Sequence, residues 1–208
     1  MTRLALCGDM DVNCYIIEDE KKCFLIDPGC NSYEIKKNLQ IKQLSLEGIL
    51  LTHGHFDHIG AIGDFNVPVY IHKDDYPCLL SADTSAFSWF GKKLPFDVEK
   101  LQVKLLEHED TIQLGKKTIK VIHTPGHTCG SVCYLLDNEL YSGDTLFRCG
   151  VGRWDLTTGN ILQLKKSIIN LLNSLDDSVL VYPGHDDETI IGFEKQYNPY
   201  YNEWLHDT

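Results

Sequence analysis

Seven side chains in this sequence have the types and spacing of a metal centre. Four stand in Thr52-His53-Gly54-His55-Phe56-Asp57-His58. Three more sit in glycine-containing turns: His127 in Thr124-Pro125-Gly126-His127-Thr128, Asp144 in Ser142-Gly143-Asp144-Thr145, and His185 in Tyr182-Pro183-Gly184-His185. In an extended segment the side chains of residues 53, 55 and 57 share a side, whereas in a helix His53 and His55 would point roughly opposite ways. The segment is therefore read as extended, bending into a helix near Asp57. Two pairs result, His53 with His55 and Asp57 with His58. One ion cannot easily take all four, but two adjacent ions can. His127 then completes one set with His53 and His55, and His185 the other with Asp57 and His58. Asp144 bridges, because a carboxylate has two oxygens.

Imidazole with carboxylate suits zinc, iron or manganese and argues against calcium. Two divalent ions are expected, with Zn²⁺ first and iron or manganese open. Two aspartates against two such ions leave the site net positive, so a shared water would ionise near neutral pH and become a hydroxide nucleophile. Asp57 is the expected catalytic residue, holding and orienting that nucleophile as well as binding metal. A lone histidine is more often hydrogen-bonded than ligating, so His72, His108, His123 and His206 receive no role. No G-x-S-x-G turn is present, so a serine nucleophile on an elbow is not expected.

Short apolar strands must deliver these turns. Val12 to Glu18 and Lys22 to Asp27 read as strands, and Asn31 and Ser32 as caps of a helix with Ile35 and Leu39 on one face. Ile49 to Leu51 is the strand before the histidine cluster. Asp57 to Asp64 reads as the first turns of a helix, Val67 to Ile71 as a strand, and Lys73 to Leu80 as helical. Residues 82–97 form a long polar and aromatic loop. Phe87, Trp89 and Phe90 are expected to pin it to the surface, and Lys92 or Lys93 would contact an anion if it were a substrate flap. Hairpins follow around Gly115-Lys116 and Asn138. Asn160 to Leu172 is an amphipathic helix with Ile161, Leu164, Ile168, Leu171 and Leu172 on one face. Val179 to Tyr182 is a strand, and Thr189 to Tyr197 a closing helix. With no linker in between, residues 1–208 are expected to form one domain of two similar layers.

The formal net charge of −11 disfavours a general nucleic-acid binder. No apolar run approaches the roughly 20 residues of a membrane span, and the N-terminus lacks the sustained apolar region of a signal peptide. The eight cysteines are scattered with no C-x-x-C pair. All are expected to be reduced, which implies a cytoplasmic protein with no membrane partner.

Thr52-His-Gly-His-Phe-Asp-His58, Thr124-Pro-Gly-His-Thr128, Gly143-Asp-Thr-Leu-Phe147 and Gly184-His185, in that order, resemble the metallo-β-lactamase superfamily. The resemblance implies an α/β fold, the four-layer αββα sandwich of two mixed β-sheets flanked by helices, with the metal site at one edge. It implies His53, His55, His127 and Asp144 on the first metal, and Asp57, His58, His185 and Asp144 on the second. Gly143-Asp-Thr-Leu-Phe-Arg-Cys-Gly-Val-Gly-Arg153 is similar to the glyoxalase II branch, whose members hydrolyse the thioester of S-lactoylglutathione. Arg153 stands where that branch places a basic residue by the substrate, although a surface ion pair with Asp155 is an equal expectation. The implied function is a glyoxalase II-like thioester hydrolase acting on a small-molecule, possibly glutathione-derived, substrate. That branch also carries a C-terminal helical region that binds glutathione. Only Asp186 to Thr208 follow here, so the region is expected to be missing and the substrate stays open. Alternatives on the same scaffold are a mononuclear iron persulfide dioxygenase, which Gly152-Arg-Trp-Asp155 also fits, and a lactone or phosphodiester hydrolase. A non-catalytic scaffold would require vestigial ligands, yet none of the seven is replaced.

Overall fold

The structure is a computed structural model that describes residues 1–6, 8 and 10–206. The expectation for Cys7 lies outside them.

The first half builds one sheet. Its strands are β1 (Thr2–Leu6), β2 (Val12–Asp19), β3 (Lys22–Ile26), β4 (Ser45–Leu50), β5 (Pro68–His72) and β6 (Gln102–Leu106), lying side by side in chain order. The pairs β1/β2 and β2/β3 are antiparallel, while β3/β4, β4/β5 and β5/β6 are parallel. A parallel neighbour needs a crossover, and helix α1 (Ser32–Lys42) supplies the one between β3 and β4. Asn31 caps it, its side chain accepting from the Glu34 amide at 3.4 Å.

The second sheet contains β7 (Thr111–Leu114), β8 (Lys117–His123), β9 (Val132–Leu136), β10 (Glu139–Gly143), β13 (Leu180–Pro183) and β14 (Thr189–Ile190), in the order β14-β13-β10-β9-β8-β7. A small ribbon, β11 (Leu146–Phe147) with β12 (Gly150–Val151), follows β10. Between β12 and β13 runs α3 (Ile161–Ser174), and α4 (Ile191–Tyr197) and α5 (Pro199–His206) close the chain.

Alternation along the strands sorts the core into layers. In β2, Tyr15 and Ile17 join Phe24, Leu50, Val121, Tyr134 and Tyr141 between the sheets. Cys14 and Ile16 face the other way and pack with Ile35 and Leu39 of α1. On the far side, Cys133, Leu140 and Val181 pack against Leu164, Ile168, Leu171 and Leu172 of α3. Strands covered on both faces read as continuous apolar runs. The result is the expected αββα sandwich of two mixed sheets. Among the described residues no helix is long and apolar enough to cross a membrane.

Several elements differ from the sequence expectation. The helix expected over Asp57 to Asp64 is a short α2 (Phe56–Ile59) followed by a separate 3₁₀ turn, Ile62–Asp64. Lys73–Leu79 is a 3₁₀ helix rather than an α-helix; Pro77 within it lacks the amide that an α-helical ladder needs. Thr189 and Ile190 pair with β13 as a strand, so the closing helix begins at Ile191, and α5 follows it. Strands β1 and β6 fall outside the sequence expectation, although Leu101-Gln-Val-Lys-Leu105 alternates; each has a single buried residue, Leu6 and Leu106. Of Phe87, Trp89 and Phe90 only Phe87 is buried, while Trp89 is 57% and Phe90 44% exposed, so one of these three aromatics rather than all three anchors the 82–97 loop.

Ile168 on the buried face of α3 touches the second sheet's core. Ile168→Ala should cost about 2–5 kcal/mol of stability, the range for emptying such a site. Denaturant unfolding measures it, and a loss well below that range would contradict the packing described.

Candidate metal centre

Strand direction delivers the candidate ligands to one edge. β3, β4 and β5 run parallel, so Asp27, the His53–His58 segment and Asp75 all follow strand C-terminal ends on the same side of the first sheet. In the second sheet β10 and β13 are parallel, and β8 runs with them because it is antiparallel to β9 as β9 is to β10. His127, Asp144 and His185 therefore share an edge as well. The two edges are joined there by Val132 N–H to the Thr52 carbonyl (2.8 Å) and by the Tyr134 hydroxyl to the Leu51 carbonyl (2.7 Å).

All seven expected ligands converge at this seam. His53 lies in the loop between β4 and α2, His55 has extended backbone as the residue before α2, and Asp57 and His58 lie within that helix. His127 Nε2 is 3.2 Å from His53 Nε2 and 2.9 Å from His55 Nδ1. Nitrogens each about 2.0–2.1 Å from one tetrahedral ion would be about 3.3 Å apart, which these separations approach. In the second group His185 Nε2 is 3.2 Å from Asp57 Oδ2 and 3.4 Å from His58 Nε2. Asp144 lies between: Oδ2 is 3.6 Å from His127 Nε2 and 3.5 Å from His185 Nε2, and Oδ1 is 3.4 Å from His58 Nε2.

Three observations fit this set to cations. Asp144 Oδ1 is buried without a hydrogen bond, since its approach to His58 lacks hydrogen-bond geometry. A Cβ on Gly184 would fall 2.4 Å from that oxygen and 2.6 Å from His58 Cε1, so glycine keeps the space open. The imidazole tautomers also fit. His127 Nδ1 donates to the Arg153 carbonyl (2.7 Å), His185 Nδ1 to the Asp11 carbonyl (2.6 Å) and His58 Nδ1 to Asp27 Oδ2 (2.9 Å). In the neutral, metal-binding form each would present a bare Nε2 to the centre, as the outer partners of metal-ligating histidines do.

Without ions the charges distort the titrations. Burial, then the neighbouring imidazoles His58 and His127, push the His53 pKa well down. Burial and then His127 take His55 to about 3. Burial also opposes a charge on His58, but Asp57, Asp144 and Asp27 outweigh it and raise its pKa well above the ordinary value. For His185, Asp144 and Asp57 overcome burial and raise the pKa to about 10. In the ion-free protein these two imidazoliums stand in for the cations that the carboxylates call for.

Two positioning carboxylates were not recognised in the sequence. Asp27 accepts from the Thr52 amide (2.8 Å), the Thr52 hydroxyl (2.6 Å) and His58. Its place after β3, before Pro28-Gly29, was the available signal. Asp75, fully buried, accepts from the Gly54 amide (2.8 Å), the Thr128 hydroxyl (2.8 Å) and the Gly130 amide (2.7 Å). It ties the His53–His55 loop to the His127 loop, and nothing in Lys73-Asp-Asp-Tyr76 singles it out.

Beside the centre is a cavity of about 320 Å³ walled by Met10, Phe56, Trp89, Phe90, Phe147 and Leu156. The 82–97 loop thus contributes aromatic wall here, while Lys92 and Lys93 line a different, adjoining cavity. Arg153 also lines the smaller cavity, with its exposed guanidinium paired to Asp155 at 2.8 and 2.9 Å.

A family model described as the metallo-beta-lactamase superfamily matches residues 7–185. The chain is 39% identical over 187 residues to a probable metallo-hydrolase of Methanocaldococcus jannaschii, covering 83% of this chain and 86% of that one. It is 32% identical over 198 residues to the hydroxyacylglutathione hydrolase GloC of Haemophilus influenzae, covering 91% and 92%. A crystal structure described as a di-iron-bound form superposes with a TM-score of 0.84 at 35% identity, covering 96% of this chain and 100% of that chain.

The raised His185 pKa sets a pH dependence for the chelated protein. Its contribution to stability is complete below the ordinary value of 6.5 and is lost as pH rises through about 10. The melting temperature in chelator should therefore fall across that window, and a flat profile would contradict the assignment. Asp75→Asn should weaken the ion nearest His53, His55 and His127 by about 10–100-fold. Chelator competition reads this directly, and unchanged affinity would show that the two loops hold without Asp75.

Proposed function

The chain belongs to the metallo-beta-lactamase superfamily, and from that premise we propose a dinuclear, glyoxalase II-like hydrolase of small-molecule thioesters. The observation that carries this reading is the convergence of seven donors around a buried, unmatched Asp144 oxygen. Its likeness to a hydroxyacylglutathione hydrolase supports the thioester class. The donor sets accept Zn²⁺ as the first choice, and iron is supported by the di-iron-bound neighbour.

In this reading His53, His55 and His127 would hold one ion and Asp57, His58 and His185 the other, with Asp144 available to both. When bound, the ions supply Lewis acidity and lower the pKa of water enough for hydrolysis near neutral pH. Asp57 orients the nucleophile from the floor of the cavity. Phe56, Phe90 and Phe147 shed water from the reacting carbonyl and seat the acyl group, which strengthens every polar contact there.

The leaving group discriminates between substrates. The described cavity wall carries no lysine, tyrosine or histidine beyond the candidate ligands. An amine or alkoxide would need a proton on departure. A thiolate does not, since its conjugate acid has a pKa of about 8.5. Arg153 is the proposed contact for an anionic part of the substrate, because its pair with Asp155 is exposed and solvent-screened and so exchanges readily. Residues 1–208 act as one domain in this proposal, since both sheets supply ligands. A cytoplasmic setting is supported by Cys14, Cys23, Cys78, Cys129, Cys133 and Cys149, all free thiols. The mononuclear iron alternative uses only His53, His127 and Asp144 and gives no role to the grouping of Asp57, His58 and His185.

Metal quantification with a panel of thioesters and lactones tests the proposal. His55→Ala and Asp144→Ala should each lower thioester turnover by at least about 10²–10³-fold, the scale of losing one preorganised electrostatic group, while circular dichroism shows the fold retained. Activity surviving in both, or one iron with O₂ uptake on glutathione persulfide, would overturn it.

A further inference from the structure

Outside the seven-donor centre, a second group of metal-capable side chains lies where the edges of the two sheets meet. His72 ends β5, Asp74 opens the 3₁₀ helix after it, and His123 ends β8. One donor atom of each lies within 4.8 Å of the other two. The imidazole rings of His72 and His123 are stacked, 3.9 Å between centroids and 14° from parallel. We propose that His72, Asp74 and His123 form a third divalent-metal site, selective for an imidazole-preferring ion such as Zn²⁺ and separate from the dinuclear centre.

The tautomers are set for it. His123 Nε2 is 2.9 Å from the Cys129 carbonyl, which can only accept, so Nε2 carries the proton and Nδ1 keeps its lone pair. His72 Nδ1 accepts the Asp74 amide at 3.3 Å, so it too is unprotonated; it faces Asp74 Oδ2 at 3.7 Å, and an ion would take its lone pair in exchange for that long hydrogen bond. Burial and then His123 lower the His72 pKa to about 4, which keeps that ring neutral at physiological pH. Two imidazoles and a carboxylate are a common three-ligand set for zinc, with a fourth position left to water. Asp74 is half exposed and forms the open side. Lys73, next to His72 in the chain, is tied to Glu107 at 2.6 Å.

Parallel rings aim their lone pairs side by side rather than at one point. Capture of an ion therefore turns one ring, and the third ion binds more weakly than the first two.

The full chain, loaded with two equivalents of Zn²⁺, is dialysed against rising free Zn²⁺ and its bound metal counted by elemental analysis. One further equivalent should bind. His123→Phe, which keeps the stack and removes the donor, should abolish it. Asp74→Asn, a change at a half-exposed side chain, should weaken it by at least about tenfold, the scale of removing even an outer partner of a ligand. Activity at two equivalents should be unchanged in both variants. No third equivalent in the unaltered chain, or one that persists in His123→Phe, overturns the proposal. The readout is stoichiometry, so failure of the thioesterase reading would leave this result standing.

Discussion

Two aspartates buried among five imidazoles impose the main constraint on this molecule. A carboxylate removed from water costs several kcal/mol unless it is paired and hydrogen-bonded. Asp144 is paired only loosely, and one of its oxygens has no hydrogen bond. Protonated His58 and His185 relieve part of this cost in the ion-free state, their pKa values raised by the same carboxylates. Two divalent ions would relieve it fully and displace those protons. Metal binding is thus coupled to proton release and to stability through one set of groups.

The sandwich exists to bring these groups together. Each sheet buries both faces, one against the other sheet and one against helices. The strand order places every ligand-bearing turn at strand C-terminal ends on one side of the molecule. Neither sheet carries a complete ligand set, since His53, His55, Asp57 and His58 come from the first and His127, Asp144 and His185 from the second. The inter-sheet core around Tyr15, Tyr134 and Tyr141 therefore also sets the distance between the two halves of the centre. Tyr134 contributes twice, by packing and by its hydroxyl bond to the Leu51 carbonyl.

Outer hydrogen bonds then fix orientation. Asp27 governs His58 and Thr52, while Asp75 holds the backbone of both loops that carry the three-histidine group. Backbone carbonyls of Asp11 and Arg153 select the tautomers of His185 and His127. Arg153 thus acts through its main chain on a ligand as well as through its side chain at the cavity rim.

The sequence alone picked out the seven candidate ligands that the fold brings together, because chemistry of that kind rests on residue type and local spacing, and His53 to His58 lie in one short turn after a strand. Apolar periodicity likewise determined α3 and the covered strands, since burial on one or two faces leaves a direct trace in composition. Edge strands β1 and β6 bury one residue each, so their trace is weak even where Leu101-Gln-Val-Lys-Leu105 alternates, and Pro77 converted an expected α-helix into a 3₁₀ one through a missing amide. Only the tertiary structure decided the roles of Asp27 and Asp75, the tautomers, the aromatic wall from Trp89 and Phe90, and the meeting of His72 with His123. Each of these depends on contacts between residues far apart in the chain, and an isolated aspartate or histidine carries no local signal of what it will face once the two sheets close.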